Sequence, residues 1–181
     1  PEVVHVRWRV GGPDDLTLLG VRLGLLPGDR VRADGTVAYE YSDPGIVGAS
    51  SRFTGYLLDR ITVADGGQPC RGAAEPVLGL ALKGATAAYT CPGPVTSATV
   101  AVRMLTDLNP AYKTLATGPT GQRAVYEGSH DTHDWALTGT EQPGTGRSAL
   151  VQLAAVLAGL LLLVAGCLLL VRRMRGRRVA A

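Results

Sequence analysis

Strict alternation of apolar and polar residues opens the chain and predicts a β-strand. In an extended strand, side chains two positions apart lie on the same face, so one set is buried and the other faces solvent. The pattern stops at Gly11-Gly12-Pro13, a turn-forming run. The expected buried set is Val4, Val6, Trp8 and Val10, and the expected exposed set is His5, Arg7 and Arg9.

Two later segments carry apolar residues at helical spacing. The first predicts a short helix that Asp14 or Asp15 caps, and the second predicts a short helix that Ser50 or Ser51 caps. The apolar positions are Leu16, Leu19, Leu23 and Leu26 in the first segment, and Phe53 and Leu57 in the second.

Six more segments, bounded by turn-forming residues, favour strands: 36–41, 60–64, 78–91, 97–105, 122–127 and 134–137. Pro92-Gly93-Pro94 separates 78–91 from 97–105, so we expect these two to be consecutive antiparallel strands. Many short strands with frequent turns are typical of a sandwich. The predicted fold class is therefore mainly β: a β-sandwich-like domain over residues 1–137 with one or two short helices.

Residues 148–171 run for about 24 positions without a charge, and roughly 20 apolar residues suffice to cross a bilayer as a helix. A buried core helix is the alternative, but it rarely lacks a polar face over this length. We therefore predict one C-terminal transmembrane helix, joined to the β-rich domain by a Gly/Thr/Pro-rich flexible linker at 138–147. Within the span, Ala155 and Gly159 share a face and would let a partner helix approach closely.

The basic tail at 172–181 predicts the topology. Its arginines directly follow the span, whereas only Arg147 flanks the other end. The positive-inside rule then places the C-terminus in the cytoplasm and makes the β-rich domain extracytoplasmic, in a single-pass protein of the cell membrane. The same cluster is expected to bind anionic lipid, with nucleic acid as the alternative. These residues are Arg172, Arg173, Arg175, Arg177 and Arg178.

Charge is distributed unevenly between the two regions. Five of the 18 Lys and Arg residues and none of the 15 Asp and Glu residues lie in the tail, which leaves 13 basic against 15 acidic residues before the span. The outer domain is thus nearly neutral and has no nucleic-acid footprint. An outside N-terminus requires a secretory signal, so we expect a cleaved signal peptide before Pro1. The scarcity of lysine among abundant Ala, Gly and Arg is typical of a GC-rich bacterial genome.

Cys70 and Cys91 are the only cysteines before the span, since Cys167 lies within it. An isolated pair in an extracytoplasmic domain is expected to be oxidised. Closing a loop of about 20 residues would stabilise the fold by about 3 kcal/mol in the chain-entropy model. We therefore predict a Cys70–Cys91 disulfide.

The segment Ser129-His-Asp-Thr-His-Asp134 has the strongest potential for chemistry. His-x-x-His with adjacent carboxylates can bind a divalent transition metal if the loop curls, and His5 could add a third nitrogen. The alternative is a solvated hairpin loop, and Arg7 and Arg9 beside His5 would repel a cation. The candidate ligands are His130, Asp131, His133, Asp134 and His5.

Catalysis is not indicated by the sequence. Ser129, His130 and Asp131 are consecutive, whereas a catalytic triad needs side chains that converge from separated positions. The sequence also contains no nucleophile elbow, P-loop, dinucleotide fingerprint or zincin motif. We therefore expect that the protein is not an enzyme.

Three segments, DDLTLLGVRLGL, YLLDRITVADGGQPC and TCPGPVTSATVAVRMLTDLNPAYKTLA, resemble the extracytoplasmic N-terminal domain of the HupE/UreJ-like family of hydrogenase and urease accessory membrane proteins. The most specific elements are 67–70, Cys91-Pro92 and 105–112, and the similarity covers most of residues 1–137. Family members continue into a multi-helix membrane domain associated with nickel or a related metal. This sequence has one predicted span, so the resemblance implies a membrane-complex or metal-related role without the permease activity.

Two functions are compatible with these observations. The leading hypothesis is a non-enzymatic, membrane-anchored accessory subunit or assembly factor that docks on an integral membrane protein complex. The alternative is an extracytoplasmic metal-binding or metal-delivery protein that handles nickel or another transition metal through the histidine segment.

Overall fold

Antiparallel strands dominate residues 2–138, which are the residues that the computed structural model describes. The strands are β1 (Val3–Trp8), β2 (Ile61–Asp65), β3 (Gln68–Pro69), β4 (Arg71–Ala74), β5 (Ala85–Thr90), β6 (Ser97–Val102), β7 (Thr114–Thr117), β8 (Arg123–Tyr126) and β9 (Thr132–Ala136). The helices are α1 (Pro13–Arg22), α2 (Asp43–Gly48), α3 (Ser51–Arg60) and α4 (Leu80–Lys83), with a 3-10 turn at Gly28–Arg30. The predicted mainly β class is confirmed, but residues 2–138 contain four short α-helices where one or two were predicted.

The strands form three antiparallel sheets. One has the order β1-β5-β4, a second has the order β3-β2-β6-β9, and the third is the hairpin β7-β8. The chain passes from the second sheet to the first at Cys70, which lies between β3 and β4. There Cys70 forms a disulfide with Cys91, at the end of β5. The predicted disulfide is confirmed.

Buried side chains from both larger sheets and from the helices form one core. Val4 and Trp8 are buried and His5 and Arg7 are exposed, as the alternation predicted, whereas Val6 and Val10 are only partly buried. The Trp8 ring packs against Phe53 of α3 at 6.3 Å between ring centroids. Burial of these large apolar side chains is the main source of stability of the domain.

Local signals identified two helices and the cap of one of them. In α3, the Ser50 side chain accepts a hydrogen bond from the backbone N–H of Arg52, as expected of an N-cap. The predicted cap of α1 was wrong: the N-cap is Gly12, which has no side-chain cap, and Asp14 and Asp15 lie within the first turn after Pro13. Proline suits this first turn because its missing N–H would have no partner in the helix. The helix ends at Arg22, so Leu23 and Leu26 lie beyond it.

Segment 36–41 is not a strand, and this prediction was wrong. Only Val37 makes an isolated bridge, to Val31. Two backbone hydrogen bonds hold the segment to 30–32: Arg32 N–H donates to the Thr36 carbonyl at 2.9 Å and Ala38 N–H donates to the Arg30 carbonyl at 2.7 Å. Two side chains add to them, because the Arg30 guanidinium donates to the Ala38 carbonyl at 3.0 Å and Asp43 accepts from the Glu40 N–H at 2.9 Å.

Segment 78–91 is also not a single strand, because α4 occupies its first half. Gly84 separates α4 from β5 at φ 76°, and a Cβ there would lie 2.1 Å from the Trp8 carbonyl oxygen. A further correction concerns pairing. We predicted that this segment pairs with 97–105, but β5 pairs with β1 and β4, while β6 pairs with β2 and β9. The prolines between them carry the chain from one sheet to the other.

The predicted membrane region lies outside the described residues. No helix within residues 2–138 is long and apolar enough to cross a membrane. The linker beyond Thr138, the span at 148–171 with Ala155 and Gly159, and the tail lie outside the described residues. The tail includes Arg172, Arg173, Arg175, Arg177 and Arg178.

A buried tyrosine joins α3 to the segment after β6. The Tyr56 hydroxyl donates to Asp107 at 2.7 Å and accepts from the backbone N–H of Leu105 at 2.9 Å. Burial, followed by the hydrogen bond to Asp107, raises the Tyr56 pKa. Burial would raise the Asp107 pKa, but the Tyr56 hydrogen bond and the charges of Arg60 and Arg22 outweigh it and lower that pKa.

Tyr56→Phe is expected to lower the free energy of unfolding by about 1–3 kcal/mol, because it leaves the buried Leu105 N–H without an acceptor. The Asp107 pKa is lowered in the folded state, so its stabilisation is present above the unfolded pKa and is lost as the pH falls below about 4. That acid-dependent loss should be smaller in the variant. Denaturant unfolding between pH 3 and 7 measures both effects. Tyr41→Phe, at a 92% exposed position, is the matched control. Its free energy of unfolding, and the dependence of that free energy on pH, should equal those of the wild type.

Candidate functional site

Four large apolar side chains around α2 and α4 are exposed, and we call them the apolar face. Tyr41 is 92% exposed, Leu82 78%, Leu78 72% and Ile46 45%. Tyr41 lies just before α2 and Ile46 lies within it, while Leu78 and Leu82 lie before and within α4. Exposed apolar clusters of this kind mark surfaces that bind a protein or a membrane.

Close packing of two short helices positions the apolar face. A Cβ on Gly48 of α2 would lie 3.0 Å from Val77 and 3.3 Å from Leu80, so the glycine allows α2 to approach α4. At the start of α2, the carboxylate of Asp43 is fully buried and accepts a hydrogen bond from Thr17 at 2.9 Å. The helices therefore present their apolar residues from a fixed scaffold.

A groove of about 480 Å³ runs beside the apolar face. It carries no charged side chain among its lining residues, which include Val10, Tyr39, Tyr41, Val77, Leu80 and Leu82. An uncharged groove rimmed by exposed apolar groups suits an apolar side chain of a protein partner. We did not predict this surface, because α4 lies in a segment whose pattern favoured a strand.

The histidine segment is half turn and half strand, since β9 begins at Thr132. The backbones of Glu127 and His130 exchange two hydrogen bonds, at 3.1 and 2.7 Å, across a tight turn. Residues Thr132–Ala136 then form β9, which pairs with β6. Strand β9 lies at the edge of its sheet, where polar side chains are tolerated. A polar segment can therefore be a strand, although its polarity indicated a loop.

Each candidate metal ligand in this segment has another contact. His133 packs edge-on against Trp135, with 4.8 Å between ring centroids. Asp134, whose side chain points to the opposite face of β9, accepts from Thr99 at 2.6 Å. The Asp131 Oδ2 lies 3.7 Å from the Arg103 Nε, and the Nδ1 of exposed His130 lies 3.5 Å from the Ser129 Oγ.

His5 lies in the other large sheet, where its Nδ1 is 3.1 Å from the Glu75 carboxylate. The structure does not bring the five candidate ligands together. Within the described residues, no group of three or more His, Cys, Asp and Glu side chains is arranged to hold a metal ion. Metal binding by this segment stays a prediction.

The apolar face and its groove are the features of residues 2–138 that point to a binding partner. No protein-family model, curated protein or solved structure matches this chain.

Proposed function

We propose that the protein is a non-enzymatic, membrane-anchored accessory subunit or assembly factor whose β-rich domain docks on a membrane protein complex. The apolar face carries this proposal. Tyr41 and Leu82 line the uncharged groove, Ile46 and Leu78 are exposed within or just before the same two packed helices, and water solvates such apolar surface poorly. Covering it with a partner would remove that apolar area from water.

The sequence supports the anchor and the compartment. An uncharged run at 148–171 is long enough to span a bilayer, and Ala155 and Gly159 suit close packing with a partner helix. The arginines of 172–181 would contact anionic lipid on the cytoplasmic side. The Cys70–Cys91 disulfide is in keeping with an extracytoplasmic domain. The resemblance to HupE/UreJ-like extracytoplasmic domains points to the same kind of membrane-complex role.

We further infer that the two larger sheets form the layers of a sandwich. The Tyr89 hydroxyl of the first sheet donates to the Ile61 carbonyl of the second at 2.6 Å, and burial raises the pKa of Tyr89 to about 12. Apolar side chains of both sheets share one core. Such a domain would present the apolar face rigidly to a partner.

Co-purification tests the docking role. Replacing Leu78 and Leu82 by glutamate should reduce partner recovery from detergent-solubilised native membranes at least about tenfold, because burying each leucine stabilises the complex by about 1.5–3 kcal/mol. Quantitative mass spectrometry measures the recovery. The matched control adds the same two charges at exposed positions elsewhere, Thr62→Glu and Ala111→Glu, and should retain the partner.

Recovery that is unchanged in the leucine variant would contradict docking through the apolar face. Metal content of the same samples tests the alternative function. A lone protein that carries near-stoichiometric nickel, copper or zinc, and loses it when His130 and His133 become alanine, would favour metal delivery. A stoichiometric membrane partner without metal would favour the accessory role.

A further inference from the structure

The outer edge of β1 has backbone groups without a partner strand in the described part of the chain. In an antiparallel ladder, alternate residue pairs exchange both backbone hydrogen bonds. The Cys91 N–H donates to the Glu2 carbonyl at 3.0 Å, and the register continues in steps of two through Val4–Tyr89 and Val6–Ala87. The peptide groups of His5 and Arg7 therefore point away from β5.

Strand β7 also has an edge without a partner strand among residues 2–138. The Gly118 N–H donates to the Gln122 carbonyl at 2.9 Å, so the pair Ala116–Ala124 also exchanges hydrogen bonds. The peptide groups of Leu115 and Thr117 then point away from β8. A two-stranded sheet is marginally stable by itself, so a third strand on this edge would stabilise it.

These two open edges border one groove of about 450 Å³, which we call the edge groove. His5 and Arg7 line it together with Leu115 and Thr117. The rest of its lining is largely apolar and includes Val6, Ile61, Val100, Val102, Tyr126 and Trp135. The edge groove thus combines unpaired backbone groups with an apolar floor, the two requirements for adding a strand.

Two arginine side chains lie beside the open edge of β1. Arg7 and Arg9 are exposed, and within residues 2–138 neither has a carboxylate within 4.0 Å. Both alternate with the buried Trp8, so they share the outer face of the sheet with His5. An added strand would place every second side chain beside these arginines and the others over the apolar floor.

We propose that the edge groove binds an extended segment of a protein partner in which acidic and apolar residues alternate. The segment adds as a strand to β1, its acidic side chains pair with Arg7 and Arg9, and its apolar side chains cover the floor. The inference rests on the proposed docking role, since the segment is assigned to the same partner that covers the apolar face.

Fluorescence anisotropy tests the groove with the full-length protein in detergent. The probe is a short labelled peptide of alternating valine and glutamate, and the control peptide alternates valine and lysine. We expect saturable binding of the acidic peptide and none of the basic one. Arg7→Glu with Arg9→Glu should weaken binding about tenfold, because two exposed attractions become repulsions.

A proline substitution separates strand addition from simple charge attraction. The His5 N–H points to the open edge, so His5→Pro removes a donor for the added strand without breaking the β1–β5 ladder. It should weaken binding about tenfold, whereas His5→Ala should change it less than about threefold. N-methylation of alternate amides of the acidic peptide removes the donors on the other side and should weaken binding likewise.

Several results would overturn the inference: no binding of the acidic peptide, equal binding of the basic peptide, or full binding by both the proline variant and the N-methylated peptide. A concentration-dependent dimer that His5→Pro dissociates would assign the groove to a second copy instead. Partner recovery that depends on Leu78 and Leu82 while the acidic peptide does not bind would leave the docking role intact and reject this groove alone.

Discussion

Replacing Asp43 by alanine is expected to lower the free energy of unfolding by about 3–5 kcal/mol, since three donors lose a buried acceptor at about 1–3 kcal/mol each, although Arg30 keeps its salt bridge to Glu40. The Asp43 side chain is fully buried, and its Oδ2 lies 3.3 Å from the guanidinium of Arg30, which is 15% exposed. The same oxygen accepts from Thr17 and from the Glu40 N–H, both at 2.9 Å. All three donors would lose their acceptor at once.

Denaturant unfolding followed by circular dichroism measures this effect. Asp29→Ala removes a carboxylate from an exposed position nearby and should change the free energy of unfolding by less than about 0.5 kcal/mol. Asp43→Asn keeps a side-chain acceptor, so its free energy of unfolding should lie between those of Asp43→Ala and Asp29→Ala. Equal stability of the two alanine variants would show that the buried carboxylate does not stabilise α2. Because α2 carries Ile46, Asp43→Ala should also reduce partner recovery.

Removing the disulfide is the second large change. Cys70→Ala with Cys91→Ala is expected to lower the free energy of unfolding by about 3 kcal/mol, because the cross-link spans 21 residues and restricts the unfolded chain. The loss should be of similar size when the wild type is reduced. Guanidinium unfolding of the variant, and of the wild type with and without reductant, measures it. Cys167→Ala leaves the cross-link intact, so this control should have the wild-type free energy of unfolding. A Cys70→Ala, Cys91→Ala variant as stable as this control would contradict the expectation.

Patterns confined to a few neighbouring residues predicted the elements well. The alternation from Val4 to Trp8 identified β1 and its buried face, and Ser50 identified the start of α3. The isolated cysteine pair identified the disulfide. These features depend on side-chain periodicity, on one capping hydroxyl and on cysteine count, all of which are local or compositional properties.

The surfaces proposed for function were not predictable in this way. The apolar face requires α4, which lies in the segment 78–91 that was predicted as a strand, and it requires α2, where no helix was predicted. The residues singled out for chemistry, His130 to Asp134, lie on a turn and an edge strand in the structure. Polar residues at a sheet edge and polar residues in a loop have the same composition, so composition cannot separate them.

The sequence by itself determined the strand character of β1, the cap of α3, the cysteine pairing and the uncharged run at 148–171, because each depends on residues that are close together or few in number. Only the tertiary structure decided that β5 lies between β1 and β4, and that β1 and β7 border one groove. Strand β1 pairs with a segment some eighty positions away. Such pairing depends on which apolar faces share the core. Contacts between distant segments stabilise the fold, but they produce no periodic pattern within either segment, so the sequence of one segment does not identify its partner.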